Sequence, residues 1–520
     1  MRPGGDILIG IDAGTSLIKS VAFDLAGRQI AVASTPNRYR TGADGAATQS
    51  LSDTWDDCAR TLRDLGDKVP GLATRTAALA VTAQGDGTWL VGADNQPVTD
   101  AWLWLDARAA PVVRRLRGTS ADRARFAIAG NGLNACQMSV QLLHMKDTMP
   151  EAVAAAEVAL HCKDWLYLNL TGIRATGPCE AVFTFGDFRT RTYDDRVIEA
   201  LGLTSEKRLL PQIVDGSEIT HPLGTAAATA TGLMAGTPVT LAFLDVPCTA
   251  LGGGIHTGGR GQGCTIIGST GMHMRATTPD AVFLNDDLTG YVMPLPIPGV
   301  VAQIQSNMAA TLNIDWLLNV AAGLLADFGQ EVAHHDLIAR IDGWIAQGEP
   351  GRVLYHPYIS EAGERGPMVD PAARAGFTGL NSTHRFADLM RAVVEGLALA
   401  AHDCYAAMGA IPPEVRLTGG AARSAALRRI LSAAIGAPVR TSTREEAGAA
   451  GAAMMAAVAI GAYSDMQACI ADWVTPNLGA LEPPDPELAQ IYARIYPAYR
   501  EARQALAPVW AELAENGATR

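Results

Sequence analysis

The sequence has no Cys-x-x-Cys pair and no histidines or cysteines at metal-ligand spacing, so neither a redox dithiol nor a structural zinc site is expected. It also lacks Gly-x-x-x-x-Gly-Lys-Ser/Thr, which excludes a P-loop nucleotide site, and Gly-x-Ser-x-Gly, which excludes the nucleophile elbow of a serine hydrolase. Aromatic residues make up 6% and charged residues 18% of the 520-residue chain. Basic residues are the scarcer sign, 41 Lys and Arg against 53 Asp and Glu, for a formal charge of −12. An acidic surface repels phosphate backbones and anionic lipid, so neither nucleic acid nor a membrane is an expected partner. The opening residues, MRPGGDILIGID, lack the apolar core and cleavage site of a signal peptide. The uncharged stretch AGAAGAAMMAAVAIGAY, Ala447 to Tyr463, is mostly Ala and Gly and reads as a closely packed buried helix, not a membrane span. Eight cysteines scattered from Cys58 to Cys469 are expected to be reduced, buried thiols of a cytoplasmic protein.

What is present is ample core material: 48% of residues are hydrophobic, enough for several domains. Strand-like runs alternate with helical ones, which argues an α/β architecture. The chain opens as strand, turn, strand: DILIGID, AGTS, IKSVAFDLAG. A second such element, CTIIGSTGMHMRA, begins near Gly263. This spacing, about half the chain, suggests two α/β domains of similar plan, each offering one hairpin to a shared cleft; two ordinary tight turns would look the same. Turns rich in Gly, Ser and Thr present backbone N–H groups suited to phosphates. Asp12 stands directly before the first turn, and a carboxylate beside a phosphate site implies an intervening cation, Mg²⁺. Lys19, a few residues on, either adds positive charge there or is a solvated strand residue.

A third glycine-rich element is EVRLTGGAARSAALRRIL. A strand ending at Thr418, a Gly419-Gly420 turn and a helix starting near Ser424 would let a nucleotide base or ribose approach the backbone. Asp245 ends the apolar run VTLAFL, where the ligand crevice of an α/β fold lies, and is a candidate for proton transfer; the alternative is a helix N-cap. Gln84, Asp86, Trp104 and Asp106, with Arg108, fall near strand ends in VTAQGDGTWLVGADNQPVTDAWLWLDAR. Such polar groups beside a Trp suit a polyhydroxylated ligand.

In this order the pieces resemble the FGGY carbohydrate kinases of the actin-like ATPase superfamily, over nearly the whole chain. IGIDAGTSLIKSVAFD is similar to that family's first phosphate hairpin and TIIGSTG to its second. AQGDGTWL with AWLWLDAR resembles the sugar-site block, and KDWLYLNLTG a family helix. LYHPYISEAGERGPMVDPAARAGFTGL resembles a long family block, and LTGGAARSAALRRILSAAIGAPV followed by EEAGAAGAA the adenosine site. The resemblance implies two actin-like, ribonuclease H-like domains, 1–247 and 248–520, flanking a catalytic cleft. It implies ATP-dependent phosphorylation of a sugar or polyol hydroxyl, with Asp245 as general base and Asp12 on the magnesium. Thr15, Ser16, Lys19, Gly268, Ser269 and Thr270 would face phosphates. Gly419, Gly420 and Ser424 would lie along the adenosine, and Gln84, Asp86, Trp104 and Asp106 would meet the substrate.

Departures from the family pattern bear on the substrate. Pentulose kinases show a His where Asp86 stands, and glycerol kinases show Arg-Glu where Gly85-Asp86 stands. The base follows Ala242-Phe243-Leu244 where glycines are usual. QGDGTWLV, AWLWLDAR and GSTGMHM look most like bacterial erythritol kinases, which implies transfer to a terminal hydroxyl of erythritol, with Phe243 and Leu244 narrowing the pocket. The alternatives are a kinase for a pentulose or another polyol and a non-catalytic sugar sensor. Related kinases are often homodimers.

Overall fold

The structure, a computed structural model, describes residues 4–259 and 261–517. Two six-stranded sheets organise it. In the first, β1 (Ile7–Ala13), β2 (Leu17–Asp24) and β3 (Gln29–Pro36) form an antiparallel meander. On the other side of β1, β4 (Thr76–Ala83) and β6 (Pro238–Leu241) continue the sheet in parallel, and β5 (His221–Pro222) closes its edge. The composition explains the order. ILIGIDA and TAALAVTA are almost unbroken apolar runs, as strands covered on both faces require, and both are buried along nearly their whole length.

The second sheet repeats the plan. β7 (Gly263–Ile267) and β8 (Gly271–Thr277) form a hairpin, and β9 (Tyr291–Pro294) and β10 (Val301–Asn307) extend it antiparallel in the order β9-β10-β8-β7. Beyond β7 lie the parallel strands β11 (Val415–Thr418) and β12 (Val439–Thr441). Each sheet therefore has a hairpin whose first strand is central, a third antiparallel strand outside the second, and two parallel strands on the far side. The pairing of the two turns noted in the sequence is a consequence of this repeated topology.

The halves meet through helices. α1 (Asp245–Gly253) follows β6, α2 (Phe386–Ala407) covers the second sheet, α3 (Ala425–Ile435) follows β11, and α4 (Ala447–Ala459) follows β12. α4 is apolar on all sides, as a helix buried on every face must be, and it packs on α1, β1 and β4 although it belongs to the second half of the sequence. The fit leaves no room for side chains at four glycines. A Cβ at Gly10 would lie 2.0 Å from the Ala449 carbonyl oxygen, at Gly451 2.0 Å from that of Cys248, and at Gly252 2.2 Å from that of Ala447. At Gly448 it would lie 2.4 Å from Asp12 Oδ2. A boundary at 247/248 would cut through α1. All eight cysteines are buried and free.

Because the atoms that would be struck are backbone, relaxation is restricted, and Gly10→Ala is expected to lower unfolding stability by about 3 kcal/mol or more, at or beyond the upper end of ordinary overpacking. Gly66→Ala, at an exposed position of the helix Leu51–Lys68 with nothing within 4 Å of the new Cβ, should raise it by roughly 0.5–1 kcal/mol. Urea unfolding of both variants checks the pair; an unchanged midpoint for Gly10→Ala would contradict the packing.

Candidate active site

The first hairpin turn is held from behind by a circuit of amides. Thr15 Oγ1 donates to Gln84 Oε1 at 3.1 Å and accepts from Trp104 Nε1 at 2.8 Å. Gln84 Nε2 donates to Gln49 Oε1 at 2.9 Å, and Gln49 Nε2 to Asn37 Oδ1 at 2.7 Å. Asn37 Nδ2 returns to the Gly14 carbonyl at 2.7 Å, and its backbone N–H donates to the Ser16 carbonyl at 2.9 Å. A buried network in which each member is satisfied fixes one conformation. Two expected substrate contacts turn out to be part of this supporting layer. Gln84, 3% exposed, uses both ends of its amide on Thr15 and Gln49 and does not line the cavity described below. Asp106, 1% exposed, accepts from the Ala47 N–H at 2.9 Å and from Arg108 Nη2 at 2.6 Å, and it too lies outside the cavity wall. Arg108, so anchored, stacks on Trp102 at 3.5 Å.

In front of the hairpin is a cavity of about 220 Å³ walled by both halves of the chain. Thr15, Asp86, Trp104 and Asp245 reach it from the first half, and Thr270, Met272, Tyr291 and Arg365 from the second. Asp245 begins α1; its Oδ1 accepts the Val246 N–H at 2.7 Å. Burial pushes the Asp245 carboxyl well above the usual range, and the nearby Asp12 carboxylate raises it further. Burial also raises Asp12 to about 6, opposed by Lys19 and reinforced by Glu446. Asp86 is raised by burial to about 6, with the Cys136 thiol, which donates to Oδ2 at 3.3 Å, acting the other way. Leu244 lines the cavity. Phe243, the other residue expected to narrow the pocket, is fully buried and absent from the wall, because it lies on the core side of the chain as it leaves β6. A Cβ at position 85 would come within 2.1 Å of Leu244 Cδ1, so a larger residue there requires the Leu244 side chain to move.

A second cavity, of about 610 Å³, lies on the other side of the second hairpin. Its walls are mostly apolar, including Ile267, Ile341 and Leu427, with Gly268, Gly420 and Ser424 among them. Gly419 has φ +92°, and a Cβ there would lie 2.4 Å from the Ile267 carbonyl oxygen, so this turn requires glycine. Nothing lies within 4 Å of a Cβ at Gly420. Ser424 caps α3, accepting the Leu427 N–H at 3.1 Å, and donates to Asp342 Oδ1 at 2.6 Å. The carbonyls of Gly268 and Ser269 accept from the Thr311 and Ala310 N–H groups at 3.0 and 2.7 Å, which ties this hairpin to the following helix. Gly268 faces the larger cavity and Thr270 the smaller, so one turn borders both. Ser16 and Ser269 are exposed at their turn tips. Lys19 pairs with Glu446 at 2.8 Å, joining β2 to the start of α4.

Sequence reasoning missed Arg365, Tyr291 and Met272. Met272 was within reach of it, since it is the second residue of β8, directly after the turn that carries Thr270. Arg365 sits on an irregular loop with no periodicity to announce it. Behind the cavity, His161, Asp164 and Glu180 place ligand atoms within 4.8 Å of one another. The Lys163 ammonium already pairs with two of these carboxylates, hydrogen-bonding Asp164 at 2.5 Å and lying 2.6 Å from Glu180, and takes the place a cation would have.

Comparison with known proteins decides what this arrangement belongs to. Residues 7–252 match the N-terminal domain of the FGGY family of carbohydrate kinases, and residues 263–460 match its C-terminal domain. The chain is a member of the FGGY family. FGGY kinases are ATP-dependent phosphotransferases, and this one acts on a sugar or polyol. It is 63% identical over 516 residues, 99% of each chain, to erythritol kinase from Brucella abortus (strain 2308). It is 24% identical to L-xylulose/3-keto-L-gulonate kinase from Escherichia coli (strain K12), over 98% of this chain and 99% of that one. Among solved structures, gluconate kinase from Lactobacillus acidophilus superposes with a TM-score of 0.88 at 21% identity, covering 98% of this chain and 99% of that one. Plasmodium falciparum glycerol kinase with ADP gives 0.78 at 16%, with 98% of each chain covered. The fold is therefore the two-domain, actin-like α/β fold of FGGY kinases. No helix among the described residues is long and apolar enough to cross a membrane.

The loop that carries Arg365 contains a titrating group of its own. Glu364 Oε1 accepts the N–H groups of Met308 and Arg365, each at 2.8 Å, yet burial raises this carboxyl to about 7. Between about pH 4.5 and 7 the folded protein keeps a proton that the unfolded chain has released, so this residue's contribution is full below that window and declines as pH rises through it. Glu364→Gln should therefore gain stability relative to wild type on going from about pH 4.5 to about pH 8, by up to about 3 kcal/mol. Urea unfolding at the two pH values measures it, and a pH-independent difference would refute the assignment.

Proposed function

We propose that this protein transfers the γ-phosphoryl group of ATP to a terminal hydroxyl of erythritol in the cytoplasm. The observation that carries the reading is the hairpin Gly268–Gly271, which borders on one side a small cavity holding the charged groups Asp86, Asp245 and Arg365 and on the other a larger, mostly apolar one. Phosphoryl transfer needs an acceptor and a nucleotide placed end to end across a phosphate-binding turn. The larger cavity suits adenosine, with Gly419, Gly420 and Ser424 along it. At about 220 Å³ the smaller one is below the usual range for drug-sized ligands and suits a short polyol. The 63% identity to an erythritol kinase over nearly the whole chain favours the four-carbon polyol over a pentulose.

Asp245 is the general base. The acceptor hydroxyl becomes acidic as its bond to phosphorus forms, and the raised pKa of Asp245 makes its carboxylate a better proton acceptor than an ordinary one. Thr15, Ser16, Gly268, Ser269 and Thr270 position the phosphates, while Asp86 and Trp104 hold the polyol. Asp12 fits a Mg²⁺ site, since it is a hard oxygen donor whose carboxylate takes no hydrogen bond among the described residues. Bound there, Mg²⁺ would offset the negative charge of the phosphates and of the paired carboxylates. Because both halves contribute walls, closing them on one another would exclude water from the transferring group.

ADP release with ATP and Mg²⁺ is expected with erythritol ahead of glycerol, xylulose, ribulose, ribitol and xylitol. Asp245→Asn should cut the erythritol-dependent rate by about 10²–10⁴-fold while ATP still binds. Turnover with a pentulose alone would discard the substrate. Folded, ATP-binding protein that turns over none of the panel would discard the kinase roles assigned to these residues.

A further inference from the structure

The small cavity holds two charged groups, Asp86 and Arg365, each with a buried side-chain atom that has no hydrogen-bond partner among the described residues. Asp86 stands on the turn after β4 with φ +56°, a left-handed conformation that Asp tolerates better than most non-glycine residues. Its Oδ2 accepts from the Cys136 thiol, but its buried Oδ1 has no partner. Arg365 comes from the other half of the chain. Its buried Nε has no acceptor, and no carboxylate among the described residues lies within 4.0 Å of its guanidinium. Its electrostatic neighbours include Tyr291, Cys136 and Asp86, so it sits toward Asp86, whereas Asp12 and Lys19 lie by the first hairpin.

Both groups are firmly mounted. The backbone around Arg365 is fixed by Glu364, by Asn307 Nδ2 donating to the Gly366 carbonyl at 2.7 Å, and by Thr289 Oγ1 donating to the Pro367 carbonyl at 3.0 Å. Across the cavity, the Gly132 N–H donates to the Gly290 carbonyl at 2.9 Å and Asn134 Nδ2 to the Tyr291 hydroxyl at 3.0 Å, which stitches the two halves at this end. A buried donor and a buried acceptor held rigid but unpaired are costly unless a ligand completes them. The ligand must carry groups that accept from a guanidinium and donate to a carboxylate at adjacent positions. Hydroxyls on neighbouring carbons do both.

We propose that Arg365 is a specificity-determining residue which, with Asp86, brackets the inner hydroxyls of the polyol. Arg365 donates to a hydroxyl oxygen and Asp86 Oδ1 accepts from a hydroxyl, so one contact comes from each half of the chain. This inference rests on the polyol-kinase reading above and adds the residues that count the substrate's hydroxyls.

The test is steady-state kinetics of Arg365→Met, Arg365→Lys and Asp86→Asn with erythritol and with butane-1,4-diol, which lacks the inner hydroxyls. Arg365→Met should raise the KM for erythritol by roughly ten- to a hundredfold. The KM for ATP should stay within about twofold of wild type, and Arg365→Lys should recover part of the loss. Against butane-1,4-diol, wild type and Arg365→Met should converge, because the contact being removed is already missing. An unchanged erythritol KM, or an equal loss on both substrates, would overturn the bracket. Quenching of tryptophan fluorescence by erythritol without ATP, read through Trp104 in the cavity wall, tests the contact independently of turnover. Binding that weakens in Arg365→Met would sustain the bracket even if wild type failed to phosphorylate erythritol, an outcome that would remove only the kinase reading.

Discussion

The contact on which the rest of this structure depends is the backbone-to-backbone approach of α4 to α1 and β1. It brings a helix from the second half of the sequence onto the central strand of the first sheet, at distances that admit only hydrogen at positions 10, 252, 448 and 451. The consequence is chemical as well as architectural. Asp12 at the end of β1 and Asp245 at the start of α1 come close enough for the Asp12 carboxylate to raise the pKa of Asp245. Glu446, immediately before α4, reaches Lys19 on β2. A side chain at any of the four glycines would separate the elements that carry these groups.

The cleft concentrates negative charge where burial already penalises it. Asp12, Asp86 and Asp245 all have raised pKa values, with desolvation the largest cause each time. Such a site is unfavourable when empty and becomes favourable when ligands supply the missing partners, which is how stability is commonly exchanged for binding at a functional site. The two cations that face it are placed differently. Lys19 is engaged by Glu446 and reinforces the seam between the halves, whereas the Arg365 side chain has no hydrogen-bond or ion-pair partner among the described residues.

Much of the polar sequence that looks like recognition is mounting. Gln84, Gln49 and Asn37 form a hydrogen-bonded circuit that returns to the hairpin it supports, and Asp106 anchors Arg108 against Trp102. A turn must be held rigidly to position a phosphate, and amides suit the task because each can donate and accept at once. The same residue types would serve a sugar, so composition near a strand end does not separate the two roles.

The sequence alone determined the repeated hairpins, the α/β class, the buried Ala–Gly helix and the glycine turn after β11. These are encoded locally, by unbroken apolar runs, by turn residues and by helix caps such as Ser424. It also singled out Asp12, Asp86, Trp104, Thr15, Thr270 and Asp245, because each sits at a strand end or in a turn where α/β folds place ligands. Only the tertiary structure decided which of the neighbouring polar residues face the cavity. Gln84 and Asp86 are two residues apart, yet one points into the supporting layer and the other into the site, because the chain leaves the strand at Gly85 and Asp86 turns through a left-handed conformation. Arg365 was hidden for the complementary reason. It acts from an irregular loop across a cavity whose opposite wall lies nearly 300 positions away in the sequence, and no local pattern records that proximity.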